Sequence, residues 1–378
     1  VEDSNVSNKL EGSLPDSQEA VVSNEQEEPL EKTTATMLYV GFNQTNTLFS
    51  VGTQRGFHIF SADAAKQQSH YIFKSGGIGI IDILFHSNIF ALVGGGPNPA
   101  FPPNRVMIWD DQRKQCIAQV DCAKKVRAVR LHKNLVIVVL EDQIIVYDYN
   151  LKEIFRRETA SNPKGIYAVC PDTDNIVLAF PAVQTGMVRV EHISIDKSKF
   201  VKAHKSGISQ IALNRDGTRL ATASETGTLI RIFDTETGDQ LREVRRGSSS
   251  ADIFSIAFSN DSKYLCACSD HGTVHLFFVG SKEDAEVQNR TSSWSFVTYV
   301  VDVRLISSEW SFAEYKGLTG PAICCFGNTN DIVRVITGKG EYIVLQFDLK
   351  SGGEPKQINR IKIPWHKLDD CYAEDTEQ

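Results

Sequence analysis

The chain has 378 residues, 41% hydrophobic and 23% charged, with a formal net charge of −7. That is the balance of a globular protein, and the longest apolar runs, such as residues 135–140, fall far short of the ~18 residues that a membrane-spanning helix requires. The charge is uneven: residues 1–32 hold nine acids and two bases, residues 369–378 five acids and no base, and the body between them 38 bases against 33 acids, an excess that suits phosphate but is too small for a nucleic-acid binder.

Residues 1–35 are rich in Ser, Glu, Asn and Gln and almost free of aromatics, so a disordered acidic segment is expected there. The segment lacks the basic start and apolar core of a signal peptide. From residue 36 to residue 365 the sequence repeats a strand–turn–strand unit, and residues 366–378 form a second acidic tail.

The repeat is anchored by first-strand residues at Phe42, Phe85, Leu131, Cys170, Leu213, Phe258 and Tyr315, spaced 43, 46, 39, 43, 45 and 57 apart. The clearest copy has strands over residues 208–214, 220–224, 228–234 and 241–245. Asp216-Gly217, Thr226-Gly227 and Gly238-Asp239 supply the tight turns between them. A period near 43 with four strands per unit predicts an all-β fold: a seven-bladed β-propeller of WD40-like, four-stranded antiparallel blades. Trp109-Asp110, Tyr147-Asp148 and Phe233-Asp234 resemble the dipeptide that closes WD40 repeats. Residues 355–363 supply the last blade's fourth strand, or the segment after Thr33 closes the ring from the other end; both arrangements fit the pattern. The long sixth interval places surplus residues at 280–303, after the sixth unit's third strand.

The fifth unit ends in Arg245-Arg246-Gly247. Neighbouring side chains in a strand point to opposite faces, so the pair sends one guanidinium to each side, and the glycine is expected to let the backbone turn away. Taken alone, the pair also fits a solvated loop. The surroundings favour anion chemistry: His204, Thr222, Ser224, Thr228 and Arg231 lie on one side in sequence, and Ser269, Thr273 and His275 occupy the equivalent stretch of the sixth unit. Arginine offers a bidentate fork to phosphate, and hydroxyls and imidazoles complete a cage.

Catalysis is not expected. The chain has no G-x-S-x-G elbow, no P-loop and no paired-metal spacing, and Gly94-Gly95-Gly96 runs into prolines rather than a helix. No C-x-x-C pair occurs, so neither a zinc site nor a cofactor is expected, and Cys170, Cys266, Cys268, Cys324 and Cys325 read as buried thiols in strands.

Val244-Arg245-Arg246-Gly247, with residues 92–96 and 106–111, Asn162-Pro163-Lys164-Gly165, residues 221–224 and 231–233, and Ser308-Glu309-Trp310-Ser311, resembles the PROPPIN family, seven-bladed propellers that bind phosphoinositides in autophagy. The resemblance covers most of residues 36–350. It implies one headgroup site at His204, Thr222, Ser224, Thr228, Arg231 and Arg245, and a second at Arg246, Ser269, Thr273 and His275, with Gly247 as the motif's turn. The implied ligands are phosphatidylinositol 3-phosphate and phosphatidylinositol 3,5-bisphosphate in membranes. The implied partner is the lipid-transfer scaffold protein of autophagy. The implied location is cytoplasmic, peripheral on pre-autophagosomal, endosomal or vacuolar membranes, as a monomer.

Members of the family carry a hydrophobic loop between the third and fourth strands of blade six. Here the matching region after Val279 reads as short and begins Ser281-Lys282-Glu283-Asp284, acids that oppose docking on anionic lipid. If His204 and His275 become cationic, binding strengthens at mildly acidic pH. The competing reading is a WD40-type scaffold that binds only proteins, without lipid dependence. The proline-rich loop 97–105 is the candidate partner surface, or simply a rigid turn.

Overall fold

Each hairpin turn in the repeat joins two antiparallel neighbours, and seven such meanders follow one another through the chain. A computed structural model describes residues 37–281, 289–291 and 309–368. The expected disordered segment 1–35 and the tail from residue 369 lie outside the described residues, as do parts of the 280–303 surplus. Seven sheets, spanning residues 37–72, 78–121, 128–158, 168–202, 208–245, 253–316 and 322–362, each take four antiparallel strands in sequence order. The protein is a seven-bladed β-propeller. Among the described residues no helix is long and apolar enough to cross a membrane.

The aromatic-Asp endings have a local cause. Each Asp ends a third strand and accepts two backbone N–H groups of the next turn: Asp110 from Gln112 and Arg113, Asp148 from Asn150 and Lys152, Asp234 from Glu236 and Thr237. The carboxylate fixes the hairpin by an Asx turn. Phe347-Asp348 does the same in blade seven, with Lys350 and Ser351 as donors.

The core lies between blades. Ile230, Ile232 and Val244 of blade five pack against Ile253, Ile256, Phe258 and Phe277 of blade six. Each such side chain contributes about 1.5–3 kcal/mol on burial.

Two expectations about the last blades are corrected. Tyr315 is not the first-strand anchor of blade seven: it lies in Ala313–Lys316, which pairs with Thr273–Phe278 as the fourth strand of blade six. Blade seven begins at Ala322–Phe326. The connection between the third and fourth strands of blade six therefore runs over residues 279–312 and is long, not short. Two pieces of it extend blade five's sheet. Glu309–Trp310 pairs in parallel with the end of Gln240–Arg245, and Arg290–Thr291 pairs antiparallel to Glu309–Trp310.

Of the two ring closures, the first is observed. Lys356–Lys362 is the fourth strand of blade seven, and blade one is built wholly from residues 37–72. Among the described residues no strand is exchanged across the seam, and side chains close it. Phe49 stacks on Tyr342 at 5.6 Å, the Tyr342 hydroxyl donates to the Ala62 carbonyl, and Arg334 donates to the Asn46 carbonyl at 2.9 Å and pairs with Asp63.

Candidate functional site

The fourth strand of blade five decides where both arginines go. Its register sets Leu229 opposite Arg245, Ile230 opposite Val244 and Arg231 opposite Glu243. Val244 is fully buried against blade six. Residues two apart share a face, so Arg242 and Arg246 also turn toward blade six. Their contacts agree: Arg242 donates to the Phe278 carbonyl at 3.1 Å, and Arg246 reaches His271. Glu243 and Arg245 take the opposite face, with Arg231, which donates to the Ala203 carbonyl at the end of blade four at 2.7 Å. The pair is split across the strand.

On the blade-four face, the His204 ring sits 3.0 Å from the Thr222 hydroxyl and 3.2 Å from the Thr222 carbonyl. Both groups are buried. Thr222 lies across the ladder from Arg231. Arg231 is already neutralised, its Nε donating to Glu243 at 2.8 Å. Ser224 is buried, and its carbonyl accepts from the Ser209 hydroxyl and the Gly227 N–H. Thr228 contributes its carbonyl to the Arg246 N–H at 2.9 Å. The Arg245 guanidinium lies over the Trp310 ring, 6.0 Å from its centroid, and donates toward the Gly247 carbonyl at 3.5 Å. His204, Thr222 and Arg231 are thus joined with Glu243, and Arg245 is held on the same face by Trp310.

On the blade-six face, Arg246 is only 4% exposed. Its Nε donates to the Gly227 carbonyl at 3.0 Å, one terminal nitrogen to the Ser249 carbonyl, and the other to Nδ1 of His271 at 3.1 Å. Because Nδ1 accepts, the His271 proton sits on Nε2. Among the described residues Arg246 makes no ion pair. Burial pushes its pKa below the usual arginine value, with Asp270 opposing from a distance. Ser269 is buried and its Oγ has no hydrogen-bond partner among the described residues. Thr273 is buried and directs its hydroxyl toward the His271 carbonyl at 3.5 Å. His275 places Nδ1 3.1 Å from the Ser311 hydroxyl and 3.9 Å from Glu314.

Two expectations about this site fail on physical grounds. Gly247 does not have a left-handed backbone, and a Cβ there would meet nothing within 4 Å, so no tight turn demands a glycine. His204 and His275 are not poised to become cationic at mildly acidic pH. Burial pulls both down to about 4; Arg231 adds to this for His204, and for His275 Arg246 assists while Glu314 opposes. Five contributors were not among the site residues expected from sequence: His271, Ser249, Glu243, and Trp310 and Ser311, which entered only as part of the family resemblance. His271 lies in the Asp270-His271-Gly272 turn and was within reach of the turn pattern, whereas Trp310 and Ser311 arrive from the far end of the long connection.

The chemistry available is anion capture. Among the described residues no group of three or more His, Cys, Asp or Glu could hold a metal ion. The described cysteines are free thiols. Those of Cys266 and Cys268 are buried, and desolvation pushes the Cys266 thiol well above its ordinary value.

The PROPPIN family model matches residues 36–308. Autophagy-related protein 18e of Arabidopsis thaliana is 36% identical over 326 residues, covering 85% of this chain and 86% of its own. Autophagy-related protein 18 of Dictyostelium discoideum is 32% identical over 353 residues, covering 86% and 93%. The solved structure of Kluyveromyces lactis Hsv2 with its complete loop 6CD superposes with a TM-score of 0.71 at 23% identity, covering 87% of this chain and all of that one. A complex of KlAtg21 with the coiled coil of AgAtg16 gives 0.68 at 21%, covering 87% and 99%. The two structures share the propeller fold. With a family model spanning most of the propeller and relatives above 30% identity across nearly its whole length, this chain belongs to the PROPPIN family.

Proposed function

We propose that the protein is a non-catalytic phosphoinositide effector. It docks edge-on to membranes through two headgroup sites on either side of Arg245-Arg246, takes PtdIns3P and PtdIns(3,5)P2, and recruits autophagy machinery to the membrane it marks. Family membership supports the ligand class. The observation that carries the reading is Arg246: among the described residues it is a buried guanidinium held by two carbonyls and the His271 imidazole without a carboxylate partner, and Ser269, two residues before that imidazole, has a buried hydroxyl without a partner. Burying a cation without a counter-ion is costly, and a phosphate oxygen arriving there relieves that cost while forming charge-assisted hydrogen bonds.

Two sites on one rim convert the second capture into an intramolecular step, a gain of roughly 10²- to 10⁴-fold. For recruitment, loop 97–105 is the proposed partner surface. Its base is pinned by hydrogen bonds from the Gly77 N–H to Asn98 and from the Ala100 N–H to Gly77, so it presents a rigid shape.

Liposome flotation tests the function. Vesicles containing PtdIns3P or PtdIns(3,5)P2 should carry the protein up the gradient, and vesicles of neutral lipid should not. Arg245→Thr with Arg246→Thr should abolish flotation while the melting curve stays cooperative. Equal flotation on all vesicles, or none, would return the chain to the protein-only scaffold reading.

A further inference from the structure

The segment 309–311, where the long connection re-enters the sheets, touches both candidate sites at once. Glu309–Trp310 runs parallel to the end of Gln240–Arg245, with Glu309 beside Val244 and Trp310 beside Arg245. Trp310 thereby takes the blade-four face and lies against the Arg245 guanidinium. Its neighbour Ser311 points the other way and meets His275 at 3.1 Å. Trp310, which ends this short strand, and Ser311, the residue after it, thus contact Arg245 of the first site and His275 of the second.

Polar side chains hold residues 309–311, and Phe312 anchors the end of the strap in the core of blade six. Asn289 exchanges hydrogen bonds with the backbone of Phe278 at 2.8 and 2.7 Å and donates to Glu309 at 2.9 Å. Arg242 lies 3.6 Å from the same carboxylate, and Arg290 donates to the Ser311 carbonyl at 2.6 Å. A two-residue ladder held this way is ordered at modest free energy, so a ligand that fixes one end changes the cost of ordering the other.

We infer that Trp310 and Ser311 are positioning residues shared by the two headgroup sites, so that a phosphate seated on Arg245 tightens capture at the His275 side. The inference rests on the phosphoinositide reading above. A phosphate on Arg245 fixes the guanidinium against the indole and holds Trp310 in register. Ser311 is then held where it orients the His275 ring. Coupling through a shared ordered element is reciprocal.

The test uses water-soluble, short-chain PtdIns3P, which removes membrane avidity, titrated against the full chain and followed at the amide signal of Ser269. Coupling is read as the ratio of second-site affinity in the unmutated chain to that in Arg245→Thr. A ratio of roughly fivefold is expected. Trp310→Phe keeps a ring over Arg245 and should preserve the ratio, whereas Trp310→Leu keeps the bulk without the ring face and should bring it to one. Ser311→Ala should also bring the ratio to one and leave binding at the Arg245 side intact. A ratio of one in the unmutated chain, or a ratio unchanged by Trp310→Leu and Ser311→Ala, would overturn the coupling and spare the two-site reading. No shift at any signal in the unmutated chain would overturn that reading, and the coupling with it.

Discussion

Arg246 donates from Nε to the carbonyl of Gly227 at 3.0 Å, which ties the motif arginine to the hairpin that carries Thr228. With the Ser249 carbonyl as a second acceptor, the guanidinium is built into the loop rather than laid on it. Arg246→Ala should therefore act on stability as well as on binding. The carbonyl of buried Gly227 loses its donor, at about 1–3 kcal/mol, whereas Ser249 is exposed and its carbonyl can turn to water. Arg246→Lys keeps the charge but lacks the fork, and should retain part of the binding and little of the stability. Thermal melting beside flotation separates the effects; a wild-type melting temperature for Arg246→Ala would show that these bonds carry no weight.

The buried histidines set a pH response opposite to the simple expectation. Both are pulled to about 4 from an ordinary value near 6.5. Between those limits the unfolded chain binds more protons than the folded one, so stability rises with pH through the window and is lost as pH falls from about 6.5 toward 4. The effect is on the order of 2–3 kcal/mol per histidine at the acid end. Vesicle binding should stay flat between pH 5.5 and 7.5, because both rings remain neutral there. Denaturant titrations across pH 4–7 check the stability claim: His204→Gln and His275→Gln should each flatten the acid limb. Flotation that climbs as pH drops to 5.5 would show that a ring is charged after all.

Why the sequence revealed the ring but not all of the site follows from what each depends on. Hairpin turns are local, so Asp216-Gly217 and Gly238-Asp239 announced their strands, and six of the seven anchors fall on or beside first strands. Tyr315 misled because a fourth strand carries the same alternation as a first one. Strand order within a blade is set by pairing with Thr273–Phe278, a long-range fact. The hydroxyls and histidines were legible because hairpins in successive blades are equivalent. Trp310 depends on how a long connection folds back onto another blade, and no local pattern encodes that.

Glu243 is a test of whether Arg231 belongs to a headgroup site. Its carboxylate occupies the Arg231 Nε and is partly exposed. Glu243→Gln removes a negative charge from the blade-four face and frees the guanidinium for an incoming phosphate. A partly exposed pair of this kind is worth about 1 kcal/mol or less, so folding should change little. Vesicle affinity should rise roughly two- to fivefold by the same energy scale. Unchanged affinity, measured by flotation against a phosphoinositide titration, would make Arg231 a structural tie to Ala203 alone.

Among the described residues, side chains and not a shared strand close the seam between blades one and seven. Tyr342 is fully buried, stacks on Phe49 and donates its hydroxyl to the Ala62 carbonyl. Tyr342→Phe keeps the ring and leaves that carbonyl without its donor, at a cost of about 1–3 kcal/mol. Arg334 is 5% exposed and joins Asn46 and Asp63 across the same seam. Arg334→Met removes both ties and leaves Asp63, itself largely solvent-facing, free to hydrate, so the loss concentrates on the Asn46 carbonyl. Both variants should melt earlier than the parent and should open first between blades one and seven, where hydrogen exchange would report faster exchange in Leu48–Thr53 and Glu341–Gln346 than in blades three and four. Exchange that rises evenly around the ring would mean that the seam is no weaker than any other blade junction.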